Sequence, residues 1–329
     1  LQTSVDPRTG QFTVNLKLPT VQAHDRRGPA LDIALAYNAL TPIDAGYGLG
    51  WDIPLSQFRQ SKGLLTTNSG ENFKIISDPT QLGRMTVGQQ KLESFHFYRD
   101  SAAVFRLVHR SGEVEFLEER GSGEFRTAVP VQICTPQGQR LNLDYDTYGG
   151  HPYLSRVHQS DGETLLRIER APGRNSVVLS FNPDISDQPG PSYTLHLDAE
   201  GKLERFELPT DEKATWAFDY RKIRDMWCVV EMRTPMGGVE RLEYADGGHH
   251  FPTSANRPTL PRVTRHLRHP TADGDPVDIR YQYCMDAQRP DARNFLGYEL
   301  NYSWLDDGLD YLYQHRGDYR YGTIETYWT

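Results

Sequence analysis

Residues 176–197 read SVVLSFNPDISDQPGPSYTLHL, and that stretch decides the fold. Val177, Leu179 and Phe181 fall at alternate positions, as do Tyr193, Leu195 and Leu197 after a Pro- and Gly-containing break. Alternation with a period of two places apolar side chains on one face of a strand and polar ones on the other. The pattern recurs at Trp216, Phe218 and Tyr220, and again at Val277, Ile279, Tyr281 and Tyr283. Between the runs stand turn formers: Asp161-Gly162, Pro172-Gly173, Gly201, Pro235 with Gly237-Gly238, and Asp273-Gly274. Glycine supplies positive φ and proline a fixed φ for tight reversals. The chain from Tyr153 to Tyr283 is therefore expected to be a row of β-hairpins with one wet and one covered face. Such a row cannot bury its covered face alone.

Upstream, the turn Ser4-Val5-Asp6-Pro7-Arg8-Thr9-Gly10 precedes alternating Phe12, Val14, Leu16 and Leu18, and Leu31, Ile33, Leu35 and Tyr37 form a second strand. Gly46-Tyr47-Gly48-Leu49-Gly50-Trp51 carries three glycines at alternate positions, which in a strand would let a large ring or another backbone lie close. The segment lacks the third-glycine spacing and the following helix of a dinucleotide loop. Residues 56–120 continue in strand style through Phe73, Ile75, Phe95, Phe97, Phe105 and Leu107. No segment has sustained helical periodicity; Asp211–Trp216 is too short to stand as a helix. The expected fold is all-β, an extended antiparallel sheet of repeated hairpins with little helix. Its expected divisions are a β-rich region over 1–150, a degenerate hairpin array over 151–283, and an aromatic-rich continuation over 284–329.

The chain has 329 residues, 37% of them hydrophobic, with 18 Tyr, 13 Phe and 5 Trp, a composition that leans to half-buried pleated surfaces. A net charge of −8 argues against a general nucleic-acid or anionic-membrane surface, and no apolar run is long enough for a membrane helix. Cys134, Cys228 and Cys284 are odd in number and far apart, so they read as buried thiols rather than a disulfide framework. The start at Leu1-Gln2-Thr3 and the mid-strand character of the end suggest a piece of a longer polypeptide; no signal peptide is visible.

Candidate chemistry is sparse. Glu113 and Glu115, with Arg106 upstream, share the E-x-E spacing of ADP-ribosylating toxins. Strand alternation accounts for that spacing, with Val114 and Phe116 expected inward and the glutamates outward. His249, His250, His266 and His269 with Cys228 or Cys284 are zinc-type ligands. However, His266 and His269, three apart on a strand, should point to opposite faces. Asp306, Asp307 and Asp310 around Gly308 lack the calcium-loop pattern. No catalytic, metal-binding or cofactor-binding residue is assigned, and no cofactor is expected.

Several motifs occur in order along the chain: Ser4–Gly10 with Phe12, Arg27-Gly28-Pro29, Gly46–Trp51, Gly248-His249-His250-Phe251-Pro252, Leu260-Pro261-Arg262-Val263, Asn294-Phe295-Leu296-Gly297-Tyr298 and Tyr319-Arg320-Tyr321-Gly322-Thr323. With them and its strand-ending tyrosines, the chain resembles the N-terminal shell region of Rhs/YD-repeat proteins, including the C-components of insecticidal Tc toxin complexes. Cys284 after Tyr281-x-Tyr283 departs from that pattern, as does the short, irregular array. The resemblance implies a non-enzymatic shell segment enclosing a C-terminal toxic polypeptide, delivered by a bacterial secretion or toxin apparatus. The implied partners are the remainder of its own polypeptide and a delivery or Tc B-type shell component. The family's aspartate-rich self-cleavage motif has no counterpart in these residues. A second expectation, from a different class, is a secreted module that holds a glycan or receptor through terminal aromatics such as Trp304 and Tyr311.

Overall fold

A computed structural model describes residues 1–283, apart from 8, 24–26, 42, 78–79, 89, 91, 171–174, 186–188, 251–258 and 272–273, together with 323–328. The fold is all-β, as the alternation predicts. The described helical residues form only two single 3₁₀ turns, Gln60–Lys62 and Gly123–Phe125. The chain divides into two compact units. One comprises Leu1–Asn15, Tyr37–Ile43 and Lys202–Thr329; the other comprises Leu16–Ala36 and Asp44–Gly201.

The chain opens with β1 (Gln2–Val5) and β2 (Phe12–Lys17), an antiparallel hairpin in which Val5 faces Phe12 and Thr3 faces Val14. Short strands follow: β3 (Val21–Gln22), paired with β4 (Ala30–Leu31), then β5 (Ala34–Asn38) and β6 (Trp51–Asp52).

The second unit then builds a closed barrel that the sequence did not announce. Its strands are β7 (Gln57–Arg59), β8 (Leu64–Thr66), β9 (Asn72–Lys74), β10 (Gly83–Arg84), β11 (Phe95–Arg99), β12 (Val104–His109), β13 (Val114–Arg120) and β14 (Thr127–Cys134). Consecutive hairpins link β7 to β9 and β10 to β14. Two contacts close the ring: Ala128 of β14 pairs with Phe58 of β7, and Ile75 pairs with Val87 just beyond β10. Backbone bonds from Ile76 N–H to Thr86 O (3.0 Å) and Gly88 N–H to Lys74 O (2.6 Å) reinforce the second of these contacts. The interior is filled by Phe58, Leu65, Ile75, Met85, Phe95, Phe97, Phe105, Leu107, Leu117 and Ala128. The Phe58 ring sits edge-on to Phe97 and Phe105, 5.0 and 4.9 Å between centroids. This part of the molecule is a packed core, not a cavity.

After the barrel the same unit runs on as a meander: β15 (Arg140–Tyr148), β16 (His151–Gln159), β17 (Thr164–Arg170), β18 (Ser176–Phe181) and β19 (Ser192–Leu197). Each pairs antiparallel with the next. Val177, Leu179, Phe181, Leu195 and Leu197 are all buried, as their spacing requires. The first unit repeats the arrangement with β20 (Leu203–Glu207), β21 (Thr215–Ile223), β22 (Met226–Arg233), β23 (Val239–His250), β24 (Thr259–His269), β25 (Val277–Tyr283) and β26 (Thr323–Trp328). Again each strand pairs with its successor in sequence.

One strand corrects its sequence phase. On β13 the inward residues are Glu115 and Leu117; Val114 and Phe116 are only partly buried. Leu117 sets the phase by filling the barrel, and Glu115 follows it inward because two hydrogen-bonding partners meet it there.

Candidate functional site

A local module recurs at the starts of three hairpins. In each, an acidic residue followed by tyrosine lies opposite a β-bulge on the partner strand. Asp144 pairs with Arg156 and Tyr145 with Leu154, leaving Ser155 over. Asp219 pairs with Glu231 and Tyr220 with Val229, leaving Val230 over. Glu243 pairs with Arg265 and Tyr244 with Val263, leaving Thr264 over. One extra residue on one strand increases local twist and re-aims neighbouring side chains. The acidic side chain faces an arginine of the partner strand, with Asp219 2.9 Å from Arg233 and Glu243 2.9 Å from Arg265. The tyrosine turns to the other face.

In the first unit those tyrosines stitch strands together. Tyr220 donates to the Leu203 carbonyl of β20 (3.0 Å), and Tyr244 to the Val229 carbonyl of β22 (2.9 Å). Tyr283 of β25 repeats the step, donating to the Val263 carbonyl of β24 at 2.6 Å. Tyr37 adds a fourth such bond, to the Trp227 carbonyl at 2.6 Å, with its ring edge-on to Tyr220. Each bond satisfies a phenol that burial would otherwise leave costly.

The second unit uses the same module differently. The hydroxyls of Tyr145 and Tyr153 are buried with no hydrogen-bond partner among the described residues. Tyr153 instead lies flat over Gly46: a Cβ there would stand 2.2 Å from the Tyr153 ring, and the φ of +115° is one that L-residues rarely adopt. The glycine-rich stretch thus admits a large ring, as expected, but from a loop of bends rather than a strand. Tyr47 packs against Tyr153 at 5.0 Å, and Arg170 clamps the loop through Asp44 (3.2 Å) and the Gly46 carbonyl (2.8 Å). Beside these rings sits Asp52, which keeps accessible surface although protein surrounds it on most sides. That enclosure pushes its carboxyl up to about 6, against the opposing pull of the Ile53 N–H and Arg59. Burial, with Glu115 and Asp52 nearby, raises the Tyr145 phenol well above its ordinary range.

Two buried carboxylate–imidazole pairs complete the inventory. Glu115, 3% exposed, lies 2.6 Å from His109 Nε2 and accepts a 3.0 Å hydrogen bond from Ser56 Oγ. The bond to Glu115 raises the His109 imidazole despite its partial burial. Ser56 Oγ itself accepts the Asn68 N–H. This is no nucleophile–base arrangement, since the serine donates to the carboxylate rather than to the histidine. Glu240, 7% exposed, lies 2.6 Å from Nε2 of His266, itself 2% exposed, and accepts a hydrogen bond from Thr3 at 3.0 Å.

The sequence candidates are not brought together as a reactive centre. Arg106 pairs with Asp100 (2.5 and 2.9 Å) under the Tyr98 ring, on the face of β12 away from Glu115. His266 is committed to Glu240, and the Cys228 thiol is buried and pushed up to about 12. Among the described residues no group of three or more His, Cys, Asp or Glu could hold a metal. Trp304, Tyr311, Asp306, Asp307, Asp310 and Cys284 lie outside the described residues, as do the side chains of His249 and His250. The acid–Tyr dipeptides stand in the sequence as Asp144-Tyr145, Asp219-Tyr220 and Glu243-Tyr244, a signal that the alternation pattern alone does not single out.

No protein-family model matches the chain, and no curated protein sequence does. Several solved structures do. A Photorhabdus luminescens Tc holotoxin pore with a mutated TccC3 is 13% identical over 84% of this chain, with a TM-score of 0.37. TcdB2–TccC3 without its hypervariable C-terminal region is 12% identical over 85%, at 0.38. This chain spans 18% and 16% of those two. The N-terminal domain of effector protein SpvB from Salmonella typhimurium strain LT2 is 13% identical over 78% of this chain and 98% of its own length, at 0.34. These similarities assign no role to any residue here. Among the described residues no helix is long and apolar enough to cross a membrane.

Proposed function

We propose that this chain is a non-enzymatic segment of β-wall from an Rhs/Tc-like toxin, and that the wall encloses or scaffolds a polypeptide cargo carried downstream. The observation that carries this is the stitched module: acid–tyrosine bulges in three hairpins, with Tyr220 and Tyr244 of two of them, and Tyr283 of β25, each bonded back to the carbonyl of the preceding strand. A meander built that way passes register from one hairpin to the next and can be extended by adding hairpins, as a repeat architecture requires. Paired backbone groups make it rigid without a helix layer. The ordered motifs of the sequence support the family. The partners under this proposal are the rest of the same polypeptide and a shell component of the delivery apparatus.

The test is limited proteolysis of the complete gene product, including whatever follows Thr329, beside the downstream polypeptide expressed alone. Survival of the downstream part only within the complete product supports encapsulation. Digestion at the same rate in both settings overturns it.

A further inference from the structure

The amino-terminal hairpin is held down by polar contacts that converge on one buried carboxylate. Thr3 of β1 donates to Glu240 of β23 at 3.0 Å, and Glu240 lies 2.6 Å from His266 of β24. Phe12 of β2 presses its ring edge-on to that imidazole, 5.4 Å between centroids. The turn between β1 and β2 adds two backbone ties: Val263 N–H to the Gly10 carbonyl at 2.8 Å, and the Gln11 amide to the Pro261 carbonyl. Gly10 approaches so closely that a Cβ would stand 2.5 Å from Cβ of Arg262. The hairpin contributes Val5, Phe12 and Val14 to the buried interior, so its seating decides whether that apolar surface is covered.

We propose that the Glu240–His266 pair is a proton-operated latch: ionised, it holds β1–β2 against β23–β24, and protonation of Glu240 lets the hairpin lift. Two elements offer this carboxylate donors: β1 through Thr3, and β24 through both His266 and Arg268 (Nε 3.7 Å away). Tyr281 of β25 faces the same group, and Glu325 and Tyr327 of β26 face Tyr281 in turn. Burial alone would raise the Glu240 carboxyl. The hydrogen bond and charge of His266, with Arg268 and Thr3, outweigh it and hold the group below the usual carboxylate range. The sign follows: the tie is fully made at neutral pH and is lost as pH falls through the depressed value of Glu240. A protonated Glu240 carries its own proton where Thr3 and His266 need an acceptor, so the tie to the hairpin is lost. The latch is independent of whether the wall encloses a cargo.

Hydrogen exchange resolved by peptide tests it. At neutral pH, Glu240→Gln should speed exchange in residues 2–15 by about tenfold or more, as removal of one member of a buried pair requires. Barrel strands β11–β13 should be unchanged. In the wild type, after correction for intrinsic rates, residues 2–15 should lose protection as pH falls from 5 toward 3, ahead of the barrel; Glu240→Gln should lack that step. Thr3→Val, which removes only the hairpin's own hydroxyl, is the second variant and should loosen residues 2–15 less. Full protection of the hairpin in both variants overturns the latch. So does an acid step that persists in Glu240→Gln.

Discussion

At the scale of single residues, the informative groups are polar ones placed where apolar residues would be the default. Glu115 faces the inside of a hydrocarbon-filled barrel, and it is tolerable there because His109 and Ser56 supply the donors its carboxylate would otherwise take from water. Glu115→Ala should therefore destabilise by about 1–3 kcal/mol, the cost of orphaning those donors, measured as a lower urea midpoint at unchanged slope. Asp52 has the opposite balance: it keeps accessible surface, yet the protein around it pushes its carboxyl up to about 6, so between its unfolded and folded values the folded chain holds more protons than the unfolded one. Stability then falls as pH rises through that window. Asp52→Asn should raise Tm at pH 7 and leave it nearly unchanged at pH 4; equal shifts at both would show that the carboxyl is not perturbed.

At the scale of elements, the tyrosine stitch separates the two units by one measurable property. Tyr220→Phe and Tyr244→Phe each delete a neutral hydroxyl–carbonyl bond and should cost about 1 kcal/mol apiece in urea unfolding. Tyr145→Phe removes a hydroxyl with no partner among the described residues and should be neutral or slightly stabilising. A cost for Tyr145→Phe equal to the other two would mean that its hydroxyl is satisfied after all. The same comparison marks what the sequence could convey. Buried faces were legible at runs such as Val177, Leu179 and Phe181, because the pleat enforces the alternation. The barrel was not, because its closure rests on Ala128 meeting Phe58 and Ile75 meeting Val87, pairings between short strands with no periodic trace. β13 misled because Val114 and Phe116 alternate as convincingly as Glu115 and Leu117, and only the partners of Glu115 decide between the two phases. Each bulge shows in sequence only as one surplus residue on the partner strand, which becomes visible once two hairpins are aligned on their acid–tyrosine pairs.

At the scale of the whole molecule, titration gathers these local arrangements into one curve. Hydrogen bonds and charges from arginines hold Asp278 and Glu231 below the usual carboxylate range, and His266 with Arg268 does the same for Glu240. Each contributes stability that is present above its unfolded value, near 4, and lost as pH falls through its lower folded value. His109 runs the other way. Its imidazole is raised by Glu115, so its contribution is complete below about 6.5 and disappears as pH climbs through the higher folded value. These groups should together give a dome, falling on the acid side through the carboxylates and on the mildly alkaline side through His109, with the raised Asp52 carboxyl lowering it in between. His109→Gln should flatten the alkaline limb and leave the acid limb in place, and Glu240→Gln should make the acid limb shallower and leave the alkaline limb in place. Thermal unfolding at half-unit pH steps across both limbs separates the two, and an alkaline limb that survives in His109→Gln would move the assignment away from the barrel.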